Sequence, residues 1–92
     1  FAPEAPISRQ DLATLLFRYM EQQGVDVTVS DGFAFADEEQ IAEYARQAMY
    51  ALHQLGVVQG MDGDNAAPQA NATRAQTAAM LHRLLNALGT EA

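Results

Sequence analysis

The side chains best placed for chemistry in this chain are two arginines, each directly behind a hydroxyl residue. Thr73-Arg74-Ala75-Gln76 is one such stretch and Ser8-Arg9-Gln10-Asp11 is the other. A guanidinium presents a planar fork of donors that matches a carboxylate or phosphate in bidentate fashion. A helix N-terminus adds unpaired backbone N–H groups on the same side. Serine or threonine followed three residues on by an acid or amide is equally the signature of a helix cap. The stretches therefore carry two readings: anion binding by Arg74 and Arg9, or capping with each arginine tied to a nearby acid.

Other reactive residues offer less. Asp62-x-Asp64 opens like a calcium loop, but Ala66 and Ala67 stand where a third ligand and a glycine belong, and Thr73 where the final acid belongs. It reads as a turn. His53 and His82 lack zinc-ligand spacing. No serine or threonine has a glycine elbow or a paired base, and Glu38, Glu39 and Glu43 read as a solvated first turn. No catalysis, metal or cofactor is expected.

The elements that must position the arginines follow from hydrophobic spacing. After an extended, proline-containing lead-in, Ser8 caps a helix from Arg9 to about Gln23, with Leu12, Leu15, Leu16, Tyr19 and Met20 on one face and Gly24 as its stop. Val25 to Val29 reads as an isolated extended segment, and Phe33 and Phe35 as core anchors. Asp37 with Gln40 is expected to cap a second helix carrying Ile41, Tyr44, Ala45, Ala48, Met49, Leu52 and Leu55 and ending at Gly56. Thr73 with Gln76 caps a third, with Ala78, Leu81, Leu84, Leu85 and Leu88 on its apolar face and Gly89 closing it.

Composition narrows the partners. The chain has 92 residues, twelve carboxylates, five arginines and no lysine, for a net charge of −7. A basic footprint for a phosphate backbone is missing, which argues against nucleic acid and against anionic lipid. No apolar run approaches the roughly 20 residues of a membrane span, and no signal peptide is visible. Without cysteine there are no disulfides or thiolate metal sites.

Shifting the chain by 65 residues places Arg9 on Arg74, Pro3 on Pro68, Ser8 on Thr73, Ala13 on Ala78, Leu16 on Leu81 and Arg18 on Arg83. The match joins loop, cap and helix without a gap. The chain thus reads as the back half of one repeat (1–24), a linker (25–34), one complete repeat (35–89) and a tail (90–92). It is expected to be an excised or processed piece of a longer protein.

The complete repeat reads Phe35-x-Asp37, Tyr44-Ala45, Ala48, Leu52, Leu55-Gly56-Val57-Val58-x-Gly60, Asp62-Gly63, Pro68 and Thr73-Arg74-Ala75-Gln76. This ordered series resembles the S-layer homology domain, whose repeats run F-x-D, W-A, L-G-I-x-x-G, D-G-x-F-x-P and T-R-A-E. Tyr44 stands at the family's Trp, Ala66 at the Phe of the turn, and Gln76 and Asp11 at the closing Glu.

The resemblance implies a small all-α helical repeat domain with long loops. It would be a non-catalytic module at the cell surface or cell wall that binds secondary cell-wall polysaccharide, often pyruvylated, of a Gram-positive-type envelope. It implies Arg74, Gln76, Arg9, Asp11, Asp37 and Tyr44 as glycan-binding residues. For Tyr44 the family position allows stacking on a sugar, whereas its spacing with Ile41 and Ala48 favours the core. The rival reading is a structural or protein-interaction domain whose site has decayed. Apolar faces left uncovered by a repeat and a half imply homo-oligomerisation, or packing against further repeats.

Overall fold

The structure, a computed structural model, describes residues 7–25, 33–60 and 64–89. The lead-in before Ile7, most of the linker, the Asp62-Gly63 turn and the tail lie outside these residues. Within them the chain is all-α: α1 spans Arg9–Gln22, a 3₁₀ turn spans Glu38–Gln40, α2 spans Glu43–Gln54 and α3 spans Arg74–Leu88. An isolated antiparallel bridge joins Ser8 to Asn71.

Local chemistry sets the helix ends. The Ser8 hydroxyl accepts from Asp11 N–H at 3.2 Å, and the chain leaves α1 through Gly24 at φ 76°. Thr73 and Gln76 form a reciprocal capping box: Gln76 N–H donates to the Thr73 hydroxyl and Thr73 N–H to Gln76 Oε1, both at 3.0 Å. Gly89 closes α3 in the left-handed region, where a missing Cβ removes the steric cost.

The second helix departs from its expected cap. Asp37 makes no side-chain cap; its carboxylate instead accepts from the backbone N–H groups of Ala66 (2.7 Å) and Ala67 (2.9 Å). Without a cap the helix does not start at Asp37. The chain makes one 3₁₀ turn, extends through Ile41 and Ala42, and begins α2 at Glu43. The free N–H of Ala42 is met by Gln10 Oε1 at 2.9 Å, which ties the start of α2 to α1.

The core lies chiefly between α1 and α2, which pack together more extensively than α1 does on α3. It comprises Leu12, Ala13, Leu16 and Met20 of α1, Ala45, Ala48, Met49 and Leu52 of α2, Phe35, Ile41, Val57, Val58 and Ala66 between helices, and Met80 and Leu84 of α3. Alanines at the α1–α2 contact remove bulk and let the helices approach. The buried stripes are narrower than the spacing suggests. Leu15 and Tyr19 lie on the neighbouring row of α1 and are exposed, and so is Leu81 of α3. Tyr44, expected among the core residues of its helix, is 61% exposed, because its ring reaches along the surface toward α1 rather than inward.

Phe35 is buried as an anchor, while Phe33 is partly exposed. Phe33 stacks on His53 with ring centroids 4.0 Å apart and meets Phe35 edge-on at 5.0 Å.

A single peptide links the two halves of the chain. Arg9, 5% exposed, donates from Nε to Ala66 O at 2.9 Å and from Nη2 to Gln59 O at 3.0 Å. The Ala66–Ala67 peptide is therefore held through its carbonyl by Arg9 and through its N–H, that of Ala67, by Asp37. Ala67, next along, sits at φ 48°, a conformation that costs a non-glycine residue roughly 1–2 kcal/mol and that the Asp37 bond to its N–H offsets. Charge-assisted bonds of this kind contribute about 1.5–3 kcal/mol each. Replacing Asp37 with Ala is expected to lower unfolding stability in urea by about 3 kcal/mol. Arg9→Ala should lower it comparably, and a double-mutant cycle should show coupling of about 1 kcal/mol or more because both act on one peptide. Strictly additive losses would show that the two contacts are independent.

Candidate functional site

The two copies of the arginine motif meet different surroundings. At α1 the donors are already used. Arg9 N–H donates to Ala70 O (2.8 Å) and Gln10 N–H to Pro68 O (3.0 Å), and the guanidinium is committed to Ala66 and Gln59 as described. The helix N-terminus that could hold an anion in the sequence thus holds the chain's own loop. Burial lowers the affinity of the Arg9 guanidinium for its proton, and the charge of Asp37 acts in the opposite direction.

At α3 the donors remain. Arg74 is exposed and has no hydrogen-bond or ionic partner among the described residues. The same holds for the backbone N–H groups of Arg74 and Ala75, the first of the helix. The motif's second position therefore presents a cation and two amides to solvent, while the first is built into the fold.

Asp11 and Tyr44 are brought together: the Tyr44 hydroxyl donates to Asp11 Oδ1 at 2.5 Å on the exposed seam between α1 and α2. This bond, with desolvation adding to it, raises the Tyr44 phenol above its ordinary range. Asp37 shares the Ala66 peptide with Arg9 but is separated from Arg74 and Tyr44 in the contacts of the structure.

Two cavities flank this framework. One, of about 290 Å³, is lined by Arg9, Gln59, Gly60, Ala75, Gln76, Ala79, Met80 and Arg83. The other, about 440 Å³ and more open, is lined by Asp37, Gln40, Asn65, Ala67, Pro68, Gln69 and Ala70. Arg9 and Gln76 thus share a cavity, and Asp37 belongs to the other. Neither is lined by Arg74, Asp11 or Tyr44.

Two contributors escaped sequence reasoning. Gln10, which holds Ala42, carried no motif signal. Arg83, which lines the smaller cavity, did carry one, since it recurs in register with Arg18 in the repeat. Among the described residues no His/Cys/Asp/Glu group is arranged to hold a metal, and no helix is long and apolar enough to cross a membrane.

Comparison with known proteins gives a family match for part of the chain. The profile of the S-layer homology domain matches residues 34–78. Residues 34–78 form an S-layer homology domain. An amylopullulanase of Thermoanaerobacterium thermosulfurigenes is 29% identical over 93 residues, covering 95% of this chain and 5% of that protein. The chain therefore spans a small fraction of this relative's length. No solved structure matches. S-layer homology domains are generally non-catalytic modules that anchor proteins at the cell surface and bind cell-wall polysaccharide.

The tyrosines give a pH test of the geometry. Burial and a bond to Glu38 (2.6 Å) raise the Tyr50 phenol above its ordinary range. A folded phenol with a raised pKa keeps its proton after the unfolded chain has lost it. Its contribution is therefore complete below about pH 10 and is lost as the pH rises through the folded value. Ultraviolet titration should show Tyr44 and Tyr50 ionising later than free tyrosine, and Tyr44→Phe and Tyr50→Phe should each remove one late component. In the Tyr50→Phe variant the alkaline fall in stability should also be shallower; an unchanged slope would contradict the assignment.

Proposed function

We propose that this domain anchors its parent protein to the cell surface by binding a secondary cell-wall polysaccharide, pyruvylated or otherwise acidic, of a Gram-positive-type envelope. The observation that carries the reading is the contrast between the two motif copies. Arg9 is used by the fold, while Arg74 stands exposed beside two leading amides of α3, and none of these has a partner among the described residues. An acidic sugar supplies what those donors lack, and a local arginine is needed to capture it against a net charge of −7. In this reading Arg74 contacts the anion and Gln76 holds the helix end. The exposed pair of Tyr44 and Asp11 offers an aromatic face and an acceptor to neighbouring sugars. Arg9 and Asp37 act by shaping the loop.

The alternative, a structural or protein-interaction domain without glycan binding, draws on that same use of Arg9 and Asp37 by the fold. The two separate in a co-sedimentation assay with purified Gram-positive cell walls before and after removal of their secondary polymer. The glycan reading expects binding that disappears with the polymer. Arg74→Ala should weaken it on the order of 10-fold or more, the scale of one charge-assisted contact. Equal recovery of wild type and Arg74→Ala in the supernatant would favour the structural alternative.

A further inference from the structure

Phe33 lies outside every motif of the repeat, two residues ahead of the Phe35 that opens it, yet its ring is held in a defined pose. It stacks on the imidazole of His53, with centroids 4.0 Å and planes 9° apart. Phe35 stands 5.0 Å from Phe33 and 5.1 Å from His53, at 85° and 77° to their planes. A ring equidistant from both members of a stack lies beside the stack and not on top of it. Tyr50 is farther from Phe33, at 6.4 Å. The face of Phe33 turned away from His53 is therefore covered by no described ring, and the residue is 38% exposed.

Single exposed apolar side chains are ordinary. A ring fixed on one face and along one edge, and open on the other face, is preorganised to receive a flat partner. Its rim is polar. His53 is half-buried, and its ring nitrogens have no hydrogen-bond partner among the described residues, so the imidazole brings a donor and an acceptor. The neighbouring charges are spent on each other. Glu38 accepts from Arg46 at 3.3 Å and from the Tyr50 hydroxyl at 2.6 Å, and that hydroxyl in turn accepts from the Phe35 N–H at 3.2 Å.

The complementary ligand has a flat apolar face, a hydroxyl-bearing edge and no net charge. A pyranose ring fits that description, because its axial C–H bonds meet the negative face of an aromatic ring. A nucleobase has the right shape, but its phosphates meet a chain of net charge −7. A protein partner needs about 800 Å² on each side. The other large exposed hydrophobic residues lie on α1, on α3 and at the opposite end of α2, so one ring does not make such an interface.

We propose that the Phe33–His53 stack at the C-terminal end of α2 is a stacking subsite for an uncharged pyranose. The open face of Phe33 takes the C–H face of the sugar, and His53 binds a hydroxyl at its edge. The subsite shares no residue with the arginine motifs or with the lining of either cavity. It rests on the wall-polymer reading for the source of the sugar, but not for the stacking itself.

The test is a proton NMR titration of the intact chain with methyl β-galactopyranoside, whose one axial hydroxyl leaves the opposite ring face to C–H bonds, and with benzyl alcohol as an apolar control. Saturable shifts of the Phe33 ring and upfield ring-current shifts of the sugar's C–H protons are expected. Phe33→Ala should weaken binding by about 3-fold or more, and Phe33→Trp, which keeps a platform and enlarges it, should retain or strengthen it. Equal affinity in wild type and Phe33→Ala, loss of binding in Phe33→Trp, or saturable shifts with benzyl alcohol alone would overturn the subsite.

The wall assay separates this proposal from the anchoring reading. Wall binding in a protein whose Phe33 ring does not respond to the sugar overturns the subsite and leaves the wall reading standing. A ring that titrates as expected in a protein that ignores walls supports the subsite and overturns the wall reading.

Discussion

The structure depends on how one peptide, that of Ala66, is held. The carbonyl of Ala66 accepts from the Arg9 guanidinium, and the N–H groups on either side of that residue's Cα–C unit, those of Ala66 and Ala67, donate to the Asp37 carboxylate. The partners come from α1 and from the segment ahead of α2, so three stretches far apart in sequence are fixed at one point. A buried arginine without acceptors would be costly, and so would a buried aspartate without donors. Each is satisfied by backbone that would itself need partners. The short side chain of Ala66, fully buried, fits between them, and the left-handed turn at Ala67 is held by the second Asp37 oxygen.

This constraint divides the labour between the two copies of the arginine motif. In α1 both the side chain and the leading amides of the motif hold the loop that ends in α3. In α3 the cap is the more complete of the two, yet the arginine and first amides have no partner among the described residues. A repeated sequence device thus has a structural use at one site and an open valence at the other. The departure of residue 76 from acid to amide leaves that end of the molecule richer in donors, on the helix face that also carries Arg83.

Much of the fold was legible because its signals are local. Ser8, the Thr73/Gln76 pair, Gly24 and Gly89 act within three or four residues of the backbone they cap or release, so their spacing suffices to place α1 and α3. Asp37 shows the limit. Its cap-like position is a local signal, but its partners lie 29 and 30 residues away, and the stronger long-range bonds remove the cap and shorten the helix. Tyr44 shows another: periodicity placed it with the core, but which edge of a stripe is covered depends on the neighbouring helix. For the candidate site, the arginine at each helix start was readable, whereas the difference between them was not. The identical side chains Arg9 and Arg74 differ in what the fold brings against them. Arg83 was visible as a repeated position, but its cavity is built from segments that come together in space.

The most direct measurement is hydrogen exchange at the arginine Nε–H groups of Arg9 and Arg74, resolved by NMR in the intact chain. Arg9 Nε–H donates to a buried carbonyl and should exchange slowly, tracking the opening of the fold, while Arg74 Nε–H should exchange at the rate of a free guanidinium. That result would establish that one copy of the motif serves the fold and leaves the other for a ligand. Equal, unprotected exchange at both would contradict the clamp on Ala66, and with it the division of labour on which the functional reading stands.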